Sequence, residues 1–209
     1  WQDAGYMGLA QIDMIRKDYE NGLDHIDRSL YRNWLNHKGR QLKASFLRKT
    51  GDYTRAMALI DESLSMDRFN MGCRFEAYLI RKLQGKVEEA AAVKQDLKTL
   101  MRGAVHSYME YAIDYASAGM YDEALQLLSF VTEDTENTYP MVYYALGYFS
   151  SKAGKKDEAL AYYQKAEQMC PDYCFPNKLE EVLMLQDAMT LNPTGAKAPY
   201  YLGNFHYAV

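Results

Sequence analysis

One period runs through most of this chain. Small residues recur at Gly22, Ala56, Ala90, Ala124 and Ala159, in steps of 34, 34, 34 and 35 residues, and glycines recur at Gly51, Gly85, Gly119 and Gly154, in steps of 34, 34 and 35. Two independent marks sharing one period mean that the chain repeats a structural unit. Between the marks the apolar residues follow helical spacing, so each unit reads as two helices. The glycine ends the first helix, in the left-handed conformation that strains any residue carrying a Cβ. The small residue opens the second helix and lets two antiparallel helices approach closely, with aromatic side chains filling the groove beside it. A single hairpin cannot bury its apolar stripe, but stacked neighbours can.

The unit is most complete from Tyr143 to Pro171. Tyr143, Leu146 and Gly147 lie on its first helix and Gly154 at its turn, while Ala159, Tyr163 and Ala166 lie on a second helix that stops at Pro171. This order resembles the tetratricopeptide repeat (TPR) pattern of aromatic, Leu-Gly, Ala, aromatic, Ala, Pro. The resemblance implies an all-α fold, a TPR solenoid of stacked antiparallel helix pairs with about five full repeats plus a partial C-terminal repeat. Residues 1–209 are read as one such domain, an internal fragment of a longer chain because it opens on Trp1 without an initiator Met.

The periodicity predicts helices over Asp3–Arg16 and Tyr19–Tyr31, Lys38–Lys49 and Tyr53–Met66, Asn70–Leu83 and Val87–Leu100, then Ala104–Ser117 and Tyr121–Val131. Lys94 stands where the third pair should carry an aromatic, so its second helix is expected to be partly exposed. Thr132 to Tyr139 is read as a loop, because its Thr, Asn and Asp side chains compete for backbone hydrogen bonds. After Pro171 the phase changes. The segment 172–176 is too short and proline-bounded for a helix. Leu179–Leu191 reads as a second-type helix, and Ala198–Tyr207 as a first-type helix whose partner lies past Val209. That uncapped end would expose an apolar face and pair with more chain or with a second copy.

A closer resemblance lies in Cys170 to Asn204. Its PDY-FP-LEE and AKAPYYLGN runs, with LKASFLRKTGDYTRAMALID nearer the N-terminus, are similar to large bacterial TPR proteins in which a β-sandwich module resembling sugar mutarotases precedes the repeats. The resemblance implies a carbohydrate-related context and no catalytic residue.

Composition excludes several classes. The formal charge is -4, from 24 basic and 28 acidic residues along the helices, so no basic stripe is offered to nucleic acid. No apolar run approaches the roughly 20 residues of a membrane span. Three cysteines, Cys73, Cys170 and Cys174, make no disulfide framework. Cys170 and Cys174 form a C-x3-C pair without the second pair a metal site needs, and His25, His37, His106 and His206 fall in separate repeats, so neither metal nor cofactor is expected. Without convergent polar groups the chain is read as non-catalytic. Many of the 19 tyrosines, among them Tyr108, Tyr115, Tyr121, Tyr143 and Tyr163, fall on core marks.

TPR arrays bind on a concave face lined by first helices. Carried onto this sequence, that face includes Gln41 and Arg48 in the second repeat, Phe75 and Glu76 in the third, Met109 and Glu110 in the fourth, and Tyr144 and Tyr148 in the fifth. Glu76 and Glu110 stand where a clamp for a chaperone's terminal carboxylate would need cations, so that ligand class does not fit. A basic end, an acidic middle and an aromatic far end suit an extended peptide. The leading reading is therefore a protein-interaction scaffold. Two others stand beside it: a glycan-presenting portion of a carbohydrate-active protein, which would leave two or more of Tyr144, Tyr148, Tyr200 and Tyr201 exposed along one groove, and a spacer or homodimerisation element acting through the C-terminal end.

Overall fold

In the computed structural model, which describes residues 2–133, 138–172 and 174–208, twelve α-helices and no strand appear among the described residues. The chain divides into two compact units, one of residues 1–102 with 117–119 and one of residues 103–116 and 120–209.

The first unit contains α1 (Gln2–Arg16), α2 (Tyr19–Arg32), α3 (His37–Lys49), α4 (Tyr53–Met66), α5 (Met71–Leu83) and α6 (Val87–Met101). These pack as successive pairs, α1 on α2, α3 on α4 and α5 on α6, with α3 also against α5. Polar caps set the boundaries with the same 34-residue step as the glycines. Asn36 and Asn70 accept from the backbone N–H of Gly39 and Cys73, opening α3 and α5, and Asp18 and Asp52 accept from those of Asn21 and Arg55, opening α2 and α4. Each such cap stabilises its helix by about 1 kcal/mol. Gly51 and Gly85 end α3 and α5 with φ of +81° and +73°, as the period requires. At the corresponding place after α1 the chain puts Lys17, which takes the same left-handed turn at φ +60°.

The core of this unit lies between the pairs, where Ala44, Leu47, Ala56, Ile60, Cys73, Ala77 and Ile80 form one buried cluster. A Cβ added at Gly22 would run into the ring of Phe46, so the glycine that replaces alanine in the first repeat is required by the approach of α2 to α3. Helix α6 buries Ala90, Leu97 and Met101, three residues as in α2 and α4, so Lys94 in the place of an aromatic does not set its burial apart.

The second unit holds most of α7 (Val105–Ser117), with α8 (Tyr121–Thr132), α9 (Pro140–Lys152), α10 (Lys156–Gln168), α11 (Leu179–Leu191) and α12 (Lys197–Ala208). Its axis is α9, buried from Pro140 to Gly147 and again at Phe149 and Ser150, and packed on α8, α10 and α11. The ring of Tyr163 on α10 covers Gly147, where a Cβ would overlap it. Residues 134–137, the middle of the expected 132–139 loop, lie outside the described residues.

Spacing assigns Leu179–Leu191 to a second-type helix and leaves the final helix without a partner, whereas α11 packs on the first-type helix α9 and α12 packs on α11. Residues 174–177 carry no helix, as the two prolines require. The turn of chain through them carries α11 back onto α9, which reverses the assignment drawn from spacing alone.

Candidate functional site

In the first unit the expected ligand-facing residues meet each other. Arg48 donates from Nε to Glu76 Oε2 at 2.6 Å and from Nη2 to Oε1 at 3.3 Å, Ser45 Oγ donates to Glu76 Oε1 at 2.7 Å, and Gln41 Nε2 donates to Ser45 Oγ at 3.2 Å. Glu76 is 0% exposed and Arg48 and Gln41 are 6% exposed, so the network joins α3 to α5 beneath the surface. Its logic is that of a buried ion pair, in which each charge is tolerated because the other is there. Phe75 is fully buried, its ring stacked on that of Tyr78 at 5.7 Å. Gly72 makes room for the network, since a Cβ there would come within 2.7 Å of Gln41 Cγ.

The same unit offers more to solvent at its repeat edges. Leu35 and Phe69, 34 residues apart and each preceding an N-capping Asn, are half exposed, and Trp34 is 57% and Tyr31 89% exposed. The guanidinium of Arg68 sits 4.7 Å from the ring centroid of Phe69.

In the second unit hydroxyls and carboxylates tie the pairs together. Tyr144 donates to Glu167 Oε1 at 2.8 Å, Tyr163 to Asp187 Oδ2 at 2.7 Å and Tyr201 to Asp172 Oδ1 at 2.7 Å. Burial, reinforced by these carboxylates, holds all three phenols above the ordinary tyrosine range. Burial also pushes Tyr108 up to about 12. Glu167 does a second job: its carboxylate accepts from the backbone N–H groups of Ala196, Lys197 and Ala198 at the start of α12. Lys197 returns the contact, its ammonium donating to the carbonyls of Ala166, Glu167 and Met169 at the end of α10. Each helix thus supplies the charge that the other's terminus favours.

Two stretches of this chain match models of the tetratricopeptide repeat family, residues 37–70 and residues 140–173, the first covering α3 with α4 and the second α9 with α10. The chain carries tetratricopeptide repeats. Among solved structures it is similar to TTC0263, a thermophilic TPR protein of Thermus thermophilus, at 20% identity over 90% of this chain and 99% of that one, with a TM-score of 0.46. It is similar to a TPR protein of Parabacteroides merdae at 19% identity over 86% of this chain and 68% of that one, with a TM-score of 0.45. It is also similar to YrrB, described as a TPR protein with an unusual peptide-binding site, at 19% identity over 80% and 86% of the two chains and a TM-score of 0.40. No curated protein sequence matches it.

On the TPR frame the eight expected site residues separate. Gln41, Arg48, Phe75 and Glu76 are buried in the first unit, with the two charges engaged with each other. In the second unit Met109 and Tyr144 are buried, Tyr148 is half-buried under the ammonium of Lys152 at 5.0 Å, and Glu110 is exposed and accepts from Lys178 Nζ at 2.9 Å. Of the four tyrosines named for stacking on a sugar, Tyr144 and Tyr201 are buried, Tyr148 is half-buried and only Tyr200 is exposed, its ring edge-on to Phe175.

Among the described residues no group of three or more His, Cys, Asp or Glu is placed to hold a metal ion, and no helix is long and apolar enough to cross a membrane. All three cysteines are free thiols. Two further sets of residues position the helices. The Asp18/Asp52 and Asn36/Asn70 caps had a signal, their shared 34-residue step. Glu167 and Lys197 had none, because the contact depends on how α10 and α12 meet.

Proposed function

We propose that this TPR protein is a non-catalytic scaffold that binds an extended peptide or partner protein along the surface of its repeats. The observation that carries the reading is the pair Leu35 and Phe69, apolar side chains held half exposed at the same place in consecutive repeats. A segment with apolar side chains at matching spacing could meet one per repeat, which is how stacked repeats recognise extended partners. Trp34 and Tyr31 add aromatic surface at the same edge, the residue types on which binding energy concentrates. In the second unit Glu110 and Tyr148 keep solvent-facing atoms on first helices and are proposed contacts there.

The buried members of the expected site support the surface from below. The Gln41–Ser45–Arg48–Glu76 network holds α3 against α5 and so sets the distance between adjacent repeats.

The test is a peptide array probed with the purified chain and with Phe69→Ala, Leu35→Ala and Glu110→Lys variants. Capture of peptides by the parent chain, weakened in the first two variants without loss of helical circular dichroism, is the expected result. Silence of the parent chain across peptides of varied charge and hydropathy would overturn the reading.

A further inference from the structure

The two units differ in charge in a way the overall value of -4 conceals. The first unit has 18 Lys and Arg against 14 Asp and Glu, a formal +4, and the second has 6 against 14, a formal -8. The first unit also holds an open cleft of about 470 Å³, lined by Tyr6 from α1 and by Asp27, Arg28, Tyr31 and Arg32 from α2.

The cleft is positioned from behind. Asp13 and His25 Nδ1 meet at 2.6 Å, the His25 ring stacks on Tyr6 at 6.2 Å, and the Arg28 guanidinium lies 5.8 Å from the Tyr6 centroid. Charges on the wall are mostly matched. Asp27 accepts an ion pair from Lys43 at 2.6 Å and Arg28 bonds Asp24 at 2.9 Å. Arg32, exposed and one helical turn beyond Arg28, has no such partner among the described residues. A guanidinium left over in a cleft that two tyrosines also line is suited to a carboxylate, which it can take with two parallel hydrogen bonds. Two and three residues further along the chain, Trp34 and Leu35 are exposed apolar side chains.

We propose that this cleft is the docking site for a glutamate or aspartate side chain of an acidic partner peptide, with Arg32 as its ion-pairing residue, Tyr6 and Tyr31 as its walls, and Trp34 and Leu35 as the surface for the peptide's neighbouring apolar residues. The inference rests on the scaffold reading and names its partner class. A cationic or neutral peptide has nothing to offset Arg32, and the formal +4 of this unit favours encounter with an acidic chain.

The experiment is fluorescence anisotropy with the full chain and a labelled peptide alternating glutamate with leucine and phenylalanine, set beside its lysine-substituted counterpart. The variants are Arg32→Glu and Tyr31→Ala, both at exposed side chains, with Arg55→Glu on α4 as a control that changes net charge equally. The expected result is saturable binding of the glutamate peptide alone, weakened about tenfold or more by Arg32→Glu, weakened by Tyr31→Ala, left nearly intact by Arg55→Glu, and reduced by added salt. Equal loss in Arg32→Glu and Arg55→Glu would overturn the cleft in favour of diffuse charge attraction. Binding of lysine or neutral peptides alone would overturn the proposal and leave the scaffold reading standing, whereas absence of binding to every peptide would remove both. Self-association in sedimentation velocity that is abolished by Arg32→Glu, without peptide binding, would give the cleft to a second copy instead.

Discussion

Arg48 and Glu76 form a buried ion pair between first helices of adjacent repeats, at 2.6 Å from Nε to Oε2, with both side chains almost wholly out of solvent. The two residues stand 28 positions apart, and what joins them is the stacking of α3 on α5. Charges that a linear reading assigns to a ligand are here each other's ligand.

Breaking that pair on one side leaves the other charge buried alone. Glu76→Leu should cost about 3–5 kcal/mol in urea-induced unfolding. Adding Arg48→Met should restore much of the loss, since a buried pair replaced by apolar groups of similar volume is often neutral or better. A double variant as unstable as the single one would show that Ser45 and Gln41 depend on the carboxylate more than the arginine does.

Lys17 occupies the turn position that is glycine in four later turns, at φ +60°. Left-handed backbone costs a side-chain-bearing residue about 1–2 kcal/mol, partly offset by the greater chain entropy glycine loses on folding. Lys17→Gly should therefore raise stability by up to about 1 kcal/mol, or roughly 2–4 °C in thermal midpoint for a chain of this size. Gly51→Ala, at φ +81°, should shift the midpoint the opposite way.

Alkaline pH should unfold the chain through its tyrosines. Burial raises Tyr108 to about 12 and holds Tyr139, Tyr144, Tyr163 and Tyr201 well above an ordinary phenol. The unfolded chain releases these protons near pH 10 and the folded chain keeps them, so the folded state binds more protons there. Stability should be unaffected by these groups below about pH 10 and fall as pH rises beyond it. Guanidinium titrations at roughly pH 8, 9.5 and 11, spanning the ordinary phenol pKa, would check it; a midpoint that does not fall at the highest pH would contradict the assignment.

The thiols should react in order of exposure. Cys170 is exposed, Cys174 is partly covered with burial and Asp172 raising its thiol, and burial pushes Cys73 up to about 12. Since the thiolate is the reactive form, a disulfide-exchange reagent at neutral pH should label Cys170 first, Cys174 more slowly, and Cys73 only on unfolding.

Glu167→Ala should loosen the last helix before the rest of its unit. The substitution removes the acceptor for the backbone of Ala196 to Ala198 and for Tyr144. A lost N-terminal cap costs about 0.5–2 kcal/mol, and hydrogen exchange should show it as faster exchange in Lys197–Ala208 than in α9.

The repeat, the helix boundaries and most of the core were legible in the chain itself. Turn glycines, small residues at the close approaches, and N-capping Asn and Asp act through their own backbone and nearest neighbours, so each leaves a mark at a fixed spacing. Gly147 and Tyr163 belong to this class, both being repeat marks that meet in the way the pattern implies. The direction of α11 was not legible, because 174–177 has no helical period to carry the phase forward. Nor was the fate of the polar residues on the first helices. Whether Glu76 faces a ligand or Arg48, and whether Glu167 caps its own helix or α12, depends on how far apart two helices settle and how they are rotated, which the packing of many side chains decides together. Spacing assigned each residue to a helix and a side of it. Tertiary packing decided which of those sides meets water and which meets another charge, because burying an unpaired charge costs several kcal/mol and the stack closes only where each charge finds its partner.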